Sequence, residues 1–329
     1  MQSSAIWLSE DNVASLVSLN DTVSELEKGM RALGEGKGVN IPKALGTLAP
    51  AGSMHSLGSA LFEAGVCGYK NWINTPAGAK AVFILFEANE GKLLAMMEAN
   101  VLGQLRTSAM TGLGTKWLSP AAADDMAVIG SGRQALAQIA AVNIVRPLKT
   151  IRIWSPTAEK RRQFCEQVRA AFPAQVIEAS TLEEALDGAQ IVTTVTRAAE
   201  PFLKADMLGK GIHLNAVGAI LPANAEFYQD VFSRVGMIAV DDVTNTRKAS
   251  REFIDYFENG EGDWAQVRPL GDIIANNERP PENSDITLFK SMGMGISDLS
   301  VAALAYQRAV QAGVGMDIPL VPGAAIRWN

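Results

Sequence analysis

The stretch AVIGSGRQALAQIAA, residues 127–141, constrains this chain more than any other. A short apolar run, MAVIG (126–130), passes through glycines into a helix-forming segment, the order strand, tight turn, helix. Gly130, Gly132 and Ala135 fall there with GxGxxA spacing. Gly130 permits the tight turn, Gly132 lets a pyrophosphate approach the backbone, and Ala135 keeps helix and strand close, while free N–H groups at the helix N-terminus face the phosphates. The stretch predicts a dinucleotide-binding βαβ unit.

The following sequence keeps alternating. IRIWS (151–155), a helix from about Ala158 to Ala171, VIEA, a helix opened by Thr181 with Glu184, and the apolar runs QIVTTVT, GIHLNAVG and MIAVDD predict a parallel sheet with helices on both faces. The preceding sequence differs. VNIPKAL, CGYKNWI, AVFILFE and KLLAMME, with the turn ANEG between the last two, predict an antiparallel sheet. Thr22 with Glu25 has capping-box spacing and opens a helix before GEGKG; Val101, Leu105, Ala109, Leu113 and Trp117 form a helical stripe that ends before Pro120. SDLSVAALAYQRAVQAG is a helix ending at Gly313, followed by an irregular tail. The expected fold class is α/β: a Rossmann dinucleotide-binding domain (121–296) inserted in a second α+β domain built from 1–120 and the returning C-terminal helix (297–329).

Composition excludes several other classes. At 329 residues, 48% apolar and 19% charged, the chain has ordinary globular composition and length for two domains. A net charge of -6, without a basic cluster interleaved with aromatics, argues against nucleic acid. No apolar run reaches the roughly 18–20 residues of a membrane span, and MQSSAIWLSEDN reads as neither signal peptide nor anchor. Cys67 and Cys165, without CxxC spacing, suggest a reducing, cytoplasmic setting; with only His55 and His213 beside them, no metal cage is expected.

The strand after the glycine turn bears on cofactor choice. A carboxylate at its end, roughly 20 residues past the first glycine, bonds the ribose 2′-hydroxyl of NAD. Here Ser155 holds that position, with Thr157, Lys160, Arg161 and Arg162 beyond. Hydroxyls and cations can hold a 2′-phosphate, so NADP(H) is favoured and NAD(H) remains possible. The alternative reading makes the basic residues a solvated helix face.

Two cations stand out further upstream. Arg106 adjoins Met110, Leu113 and Trp117 along its helix, and a guanidinium partly buried there needs an anionic partner, either a structural acid or a ligand. Alternation puts Gly68, Lys70 and Trp72 on one face of their strand, where Lys70 either snorkels to the surface or faces a site.

GYKNWIN, ANVLGQLRTSAMTGLGTKWLSP, VIGSGRQA, HLNAVGA and FKSMGMGISDLSVAALAY, in that order, resemble the ornithine cyclodeaminase and mu-crystallin family from about residue 5 to 310. The resemblance implies a substrate and dimerisation domain made from both ends of the chain, and a homodimer. It implies that Lys70 faces the substrate near the nicotinamide, that Arg106 grips the substrate carboxylate, and that Lys43 stands where many members place an arginine on that carboxylate. Asp298, with Lys70 a candidate catalytic residue, falls in a segment passing near the nicotinamide, although Ser297 or Asp298 can equally cap the following helix, and His55 either faces the substrate pocket or lies in a loop. Further cofactor contacts are implied for Arg133, Gln134, Thr196, Val217, Gly218, Met292 and Gly293.

One departure bears on the reaction. Ornithine cyclodeaminases carry an aspartate just after the NAVG-small segment; this chain has Ile220 and Leu221, which cannot exchange a proton or pair with an ammonium. Glu226, further on, reads as structural. The expected activity is therefore NAD(P)H-dependent reduction of an α-imino acid or, in reverse, oxidation of an L-amino acid. The alternatives are a true ornithine cyclodeaminase and a mu-crystallin-like NADP(H)-dependent binding protein with little turnover.

Overall fold

The computed structural model describes residues 4–320, 323 and 325–328. The first part of the chain forms β1 (Ser4–Leu8), β2 (Gly38–Thr47), β3 (Ser53–Leu61), β4 (Val66–Thr75), β5 (Gly78–Glu87) and β6 (Leu93–Glu98). From β2 to β6 each strand runs antiparallel to the next. β1 lies parallel to β6, and Met316–Pro319, in the tail expected to be irregular, pairs antiparallel with β1 at the sheet edge. The expected antiparallel strands are present, joined by β3, whose run SMHSLGSAL is rich in small and polar residues and lacks the β-branched signal of its neighbours.

The second sheet contains β7 (Asp125–Ile129), β8 (Thr150–Trp154), β9 (Gln175–Glu178), β10 (Ile191–Thr194), β11 (Ile212–Ala216), β12 (Val235–Val240), β13 (Val267–Pro269) and β14 (Ile286–Lys290). Their order is β13-β12-β14-β11-β10-β7-β8-β9, and every pairing is parallel. β10, β11 and β14 are buried at every residue, as strands covered on both faces are. The chain leaves β7 towards β8 and β9, then returns to the other side of β7 at β10. That reversal opens a crevice beyond the strands' C-terminal ends.

The helix Asn100–Leu118 joins the two halves. It is buried without a break from Ser108 to Thr115, wider than the expected stripe, because it packs against the helix Ala135–Val145 and against strands of both sheets. Gly112 and Gly114 permit this: a Cβ would stand 2.7 Å from the Ala141 carbonyl oxygen at the first, and 2.5 Å from the Phe289 ring at the second. The helix Gly295–Ala312 returns to the first sheet, packing on β2, β3 and β4, and ends at Gly313 in the left-handed conformation. At the N-terminus the helix Leu19–Gly34 is capped by Ser18 with Asp21, so Thr22 is a buried residue of its first turn and not its cap. Among the described residues no helix is long and apolar enough to cross a membrane.

Candidate active site

Beyond the C-terminal ends of the second sheet lies a cleft of about 940 Å3. Its wall includes Gly130, Gly132, Arg133, Gln134, Ser155, Thr157, Thr196, Val217, Gly218, Met292 and Gly293. Gly130 has φ +123°, and a Cβ there would come within 2.8 Å of the Val195 carbonyl oxygen. A Cβ on Gly132 would meet nothing within 4 Å, so the turn presents its backbone to open space. The buried Ala135 opens the helix Ala135–Val145 directly behind. These features fit a pyrophosphate approaching the turn.

Arg161 is placed otherwise. Its Nη1 donates to the Ser155 carbonyl at 2.8 Å and its Nε lies 3.4 Å from Glu178, so it fixes the end of β8 from behind while Lys160 lines the cleft. The Ser131 hydroxyl donates to that of Ser155 at 3.0 Å.

Arg106 belongs to the same wall and links the cleft to a buried ionic cluster. Lys70 lies on the inward face of β4, as the alternation requires, and its Nζ donates to Asp298 Oδ1 at 3.0 Å. Arg106 Nε lies 3.3 Å from the same oxygen, close enough for an ion pair but misaligned for a hydrogen bond. Asp298 Oδ2 has no hydrogen-bond partner among the described residues. Gly103 gives the lysine room, since a Cβ there would stand 2.8 Å from Lys70 Nζ. Gly293, with φ +84°, lets the cleft wall approach Arg106, whose Nη1 would lie 3.0 Å from a Cβ.

Asp298 does not cap its helix. The helix begins at Gly295, and Asn40 of β2 satisfies its end: Gly295 N donates to Asn40 Oδ1 at 2.7 Å, and Asn40 Nδ2 donates to Asp242 at 2.7 Å. This leaves Asp298 in the first turn, facing Lys70 and Arg106. The anionic partner expected for Arg106 is therefore an acid of the chain itself.

Burial shifts the titration of Lys70, Lys43 and His55. It pulls Lys70 below the ordinary lysine value; Asp298 opposes this and Arg106 reinforces it. Lys43 is lowered by burial and by Arg106, against the pull of Asp241 and Asp242. His55 is lowered by burial and then by Lys43. It lies in β3, not in a loop, and stacks on Trp72 with ring centroids 4.4 Å apart, while its Nε2 meets the Ser53 hydroxyl at 2.7 Å. Lys70 Nζ lies 5.4 Å from the centroid of Trp72, so this indole spans His55 and Lys70. Its signal in the sequence was its place on the Lys70 face.

A second residue that the motif reading passed over is Asp241. It accepts from Ser291 Oγ, Met292 N and Gly293 N, each at 2.8 Å, and so shapes the loop against Arg106. Ile220 lines the cleft and Leu221 follows it, both well exposed.

The chain matches the ornithine cyclodeaminase/mu-crystallin family over residues 4–313. It is 33% identical over 239 residues to the ketimine reductase mu-crystallin of Mus musculus, covering 72% of each chain. Among solved structures it resembles the Delta(1)-pyrroline-2-carboxylate reductase of Thermococcus litoralis in complex with NADH and L-proline, with TM-score 0.89, 25% identity, and coverage of 95% of this chain and 100% of that one. It also resembles an archaeal alanine dehydrogenase dimer with bound NAD, with TM-score 0.88, 25% identity, and coverage of 96% and 99%.

Proposed function

The chain belongs to the ornithine cyclodeaminase/mu-crystallin family, and from that premise we propose that it is an NAD(P)H-dependent reductase of an α-imino acid or, in reverse, an L-amino acid dehydrogenase. One observation carries the reading: Arg106 lies in the wall of the cleft that the GxGxxA turn lines, and in contact with the Lys70–Asp298 pair. A carboxylate held there stands beside both a lysine proton and the end of the cleft. The relatives' reactions, ketimine and pyrroline carboxylate reduction and alanine oxidation, share this chemistry.

A reduced nicotinamide, when bound, supplies hydride for the C=N carbon. Arg106 and Lys43 hold the carboxylate, the lysine as a point charge where arginine would offer a fork. Lys70, directly or through a water, delivers the proton to the nitrogen, and its lowered pKa suits it to give that proton up. Asp298 holds Lys70 and Arg106 in place. His55, on Trp72, borders the substrate. Ser155, Thr157 and Lys160 favour NADP(H), with NAD(H) the second choice; Arg161 serves by fixing Ser155. The aliphatic Ile220 and Leu221 favour a substrate without a distal ammonium and weigh against ornithine cyclodeamination.

The first sheet and the helix Gly295–Ala312 serve as the substrate and dimerisation side, and the second sheet as the cofactor side. Val39, Ile41, Leu45, Met54, Tyr69 and Ile73 are exposed on β2 to β4, as a homodimer face would require. Free Cys67 and Cys165 suit a reducing cytoplasm.

The test is loss of NADPH absorbance against α-keto acids with ammonia or methylamine and against cyclic imino acids, repeated with NADH. Turnover of one imine class is expected. Silence across the panel with NADPH still bound would favour a binding protein, and efficient ornithine cyclisation would overturn the assignment.

A further inference from the structure

Glu226 lies after the cleft-lining Ile220, in the run LPANAEF, and is fully buried. Its carboxylate collects donors from two loops. Thr194 Oγ1 at 2.9 Å, Thr196 N at 2.7 Å and Thr196 Oγ1 at 2.8 Å reach it from the end of β10. Gly218 N at 2.9 Å and Ala219 N at 3.2 Å reach it from the end of β11. Oε1 serves the first loop, while Oε2 serves Thr194 and the second. The loops meet closely, because a Cβ on Gly218 would stand 2.2 Å from Glu226 Oε1 and 2.3 Å from Thr196 N.

A third strand end joins them. Lys290, the buried last residue of β14, donates to the Ala219 carbonyl at 2.6 Å and lies 3.5 Å from Glu252. Glu252 accepts from Glu226 N at 3.0 Å. The ends of β10, β11 and β14 are thus joined by a ring of buried polar contacts. They carry Thr196, Val217, Gly218 and Ser291 of the cleft wall, whereas Glu226, Glu252 and Lys290 lie behind that wall. In the strand order these ends lie on the opposite side of β7 from Ser155. A dinucleotide with its adenosine at Ser155 therefore lays its nicotinamide over them.

We propose that Glu226 is the positioning residue for the nicotinamide half of the cofactor, holding the Thr196 and Gly218 loops at the spacing that seats the ring; the inference rests on the dinucleotide reading of the cleft. Two acceptor oxygens are what the task needs. Glutamine would turn an NH2 towards one loop and set donor against donor. Ser155 and Thr157, at the adenosine end, lie across β7 and receive no contact from the Glu226 carboxylate.

The experiment compares Glu226→Gln and the milder Thr194→Val, which removes one donor away from the cleft wall, with the unaltered protein. ADP and NADPH affinities are measured by calorimetry and turnover by NADPH oxidation. ADP affinity should stay within about twofold, while NADPH binding weakens and kcat falls about tenfold in Glu226→Gln, with a smaller change of the same kind in Thr194→Val. Parallel loss of ADP and NADPH affinity, or no loss of kcat, overturns the proposal. If Glu226→Gln does not fold, the ADP-against-NADPH comparison in Thr194→Val decides. An unaltered protein that binds neither nucleotide would refute the dinucleotide reading itself.

Discussion

Lys70 Nζ and Asp298 Oδ1 lie 3.0 Å apart with both side chains buried, although 228 residues separate them in the chain. The contact crosses from β4 to the first turn of the helix Gly295–Ala312, so it fastens the returning helix to the sheet while setting the lysine beside Arg106. Asp298 is the carboxylate shared by two cations. Removing it leaves Lys70 buried and uncompensated and deprives the half-buried Arg106 of its acid, which costs on the order of 3 kcal/mol.

Asp298→Asn should therefore lower stability by about 2–4 kcal/mol, read as a lower urea midpoint at unchanged m-value. Lys70→Met should cost less, because Asp298 keeps Arg106, yet it should abolish imine turnover while NADPH still binds. An Asp298→Asn protein as stable as the unaltered one would show that the pair contributes little.

The same pair sets a pH dependence. Reduction needs the Lys70 ammonium, so kcat should fall as pH rises through the lysine's lowered pKa. Asp298 raises that pKa and Arg106 lowers it. Removing the acid should move the alkaline limb to lower pH, and removing Arg106 should move it to higher pH. Rate profiles of Asp298→Asn and of Arg106→Gln at saturating substrate test the two signs, and a limb that stays in place in both variants would remove Lys70 as its source.

Residue pattern made much of this legible, and its failures have physical causes. Strands buried on both faces, such as β7 and β11, stand out as apolar runs, and the GxGxxA spacing marks where the chain turns. β3 stayed hidden because Ser, Gly and His carry little β signal and its stability comes from pairing on both sides. Thr22 and Glu25 have the spacing of a cap, but Ser18 and Asp21 meet the free N–H groups one turn earlier. The partnership of Arg106 with Asp298 needs a fold that brings distant segments together, and no local pattern names it. The family resemblance implied Arg106 on the substrate carboxylate and Asp298 in a segment near the nicotinamide, while their mutual contact emerged from packing.

Cofactor preference is open to a direct reversal. The Ser155 side chain is buried beside Ser131, and Lys160 and Thr157 face the cleft. Ser155→Asp would set a carboxylate where a 2′-phosphate is expected and should lower kcat/KM for NADPH about tenfold to hundredfold, with NADH affected far less. Lys160→Ala should weaken NADPH in the same direction by about tenfold or less. Equal effects on both nucleotides would show that the 2′-phosphate lies elsewhere.

His213 predicts acid sensitivity remote from the cleft. It is fully buried in β11, with Nδ1 facing the Thr287 hydroxyl at 2.9 Å and Nε2 facing Asn215 Oδ1 at 3.0 Å, and burial lowers its pKa from 6.5 to about 3. Between those two values the unfolded chain binds a proton that the folded chain refuses, so stability rises with pH across the window and is lost as pH falls below 6.5. From pH 6.5 to 5 the histidine should account for about 1.5 kcal/mol of lost stability. His213→Gln, which keeps a polar group at the site without a titrating ring, should lose that part of the slope. Its absolute stability can fall without affecting the test, because the quantity read is the difference between the two pH values. Urea unfolding of both proteins at each pH measures it above most of the carboxylate titration range. The partly buried His55 is shifted in the same direction and remains in both proteins, so its share cancels. Equal slopes would mean that the imidazole is protonated in the folded state, with Asn215 and Thr287 accommodating the charge.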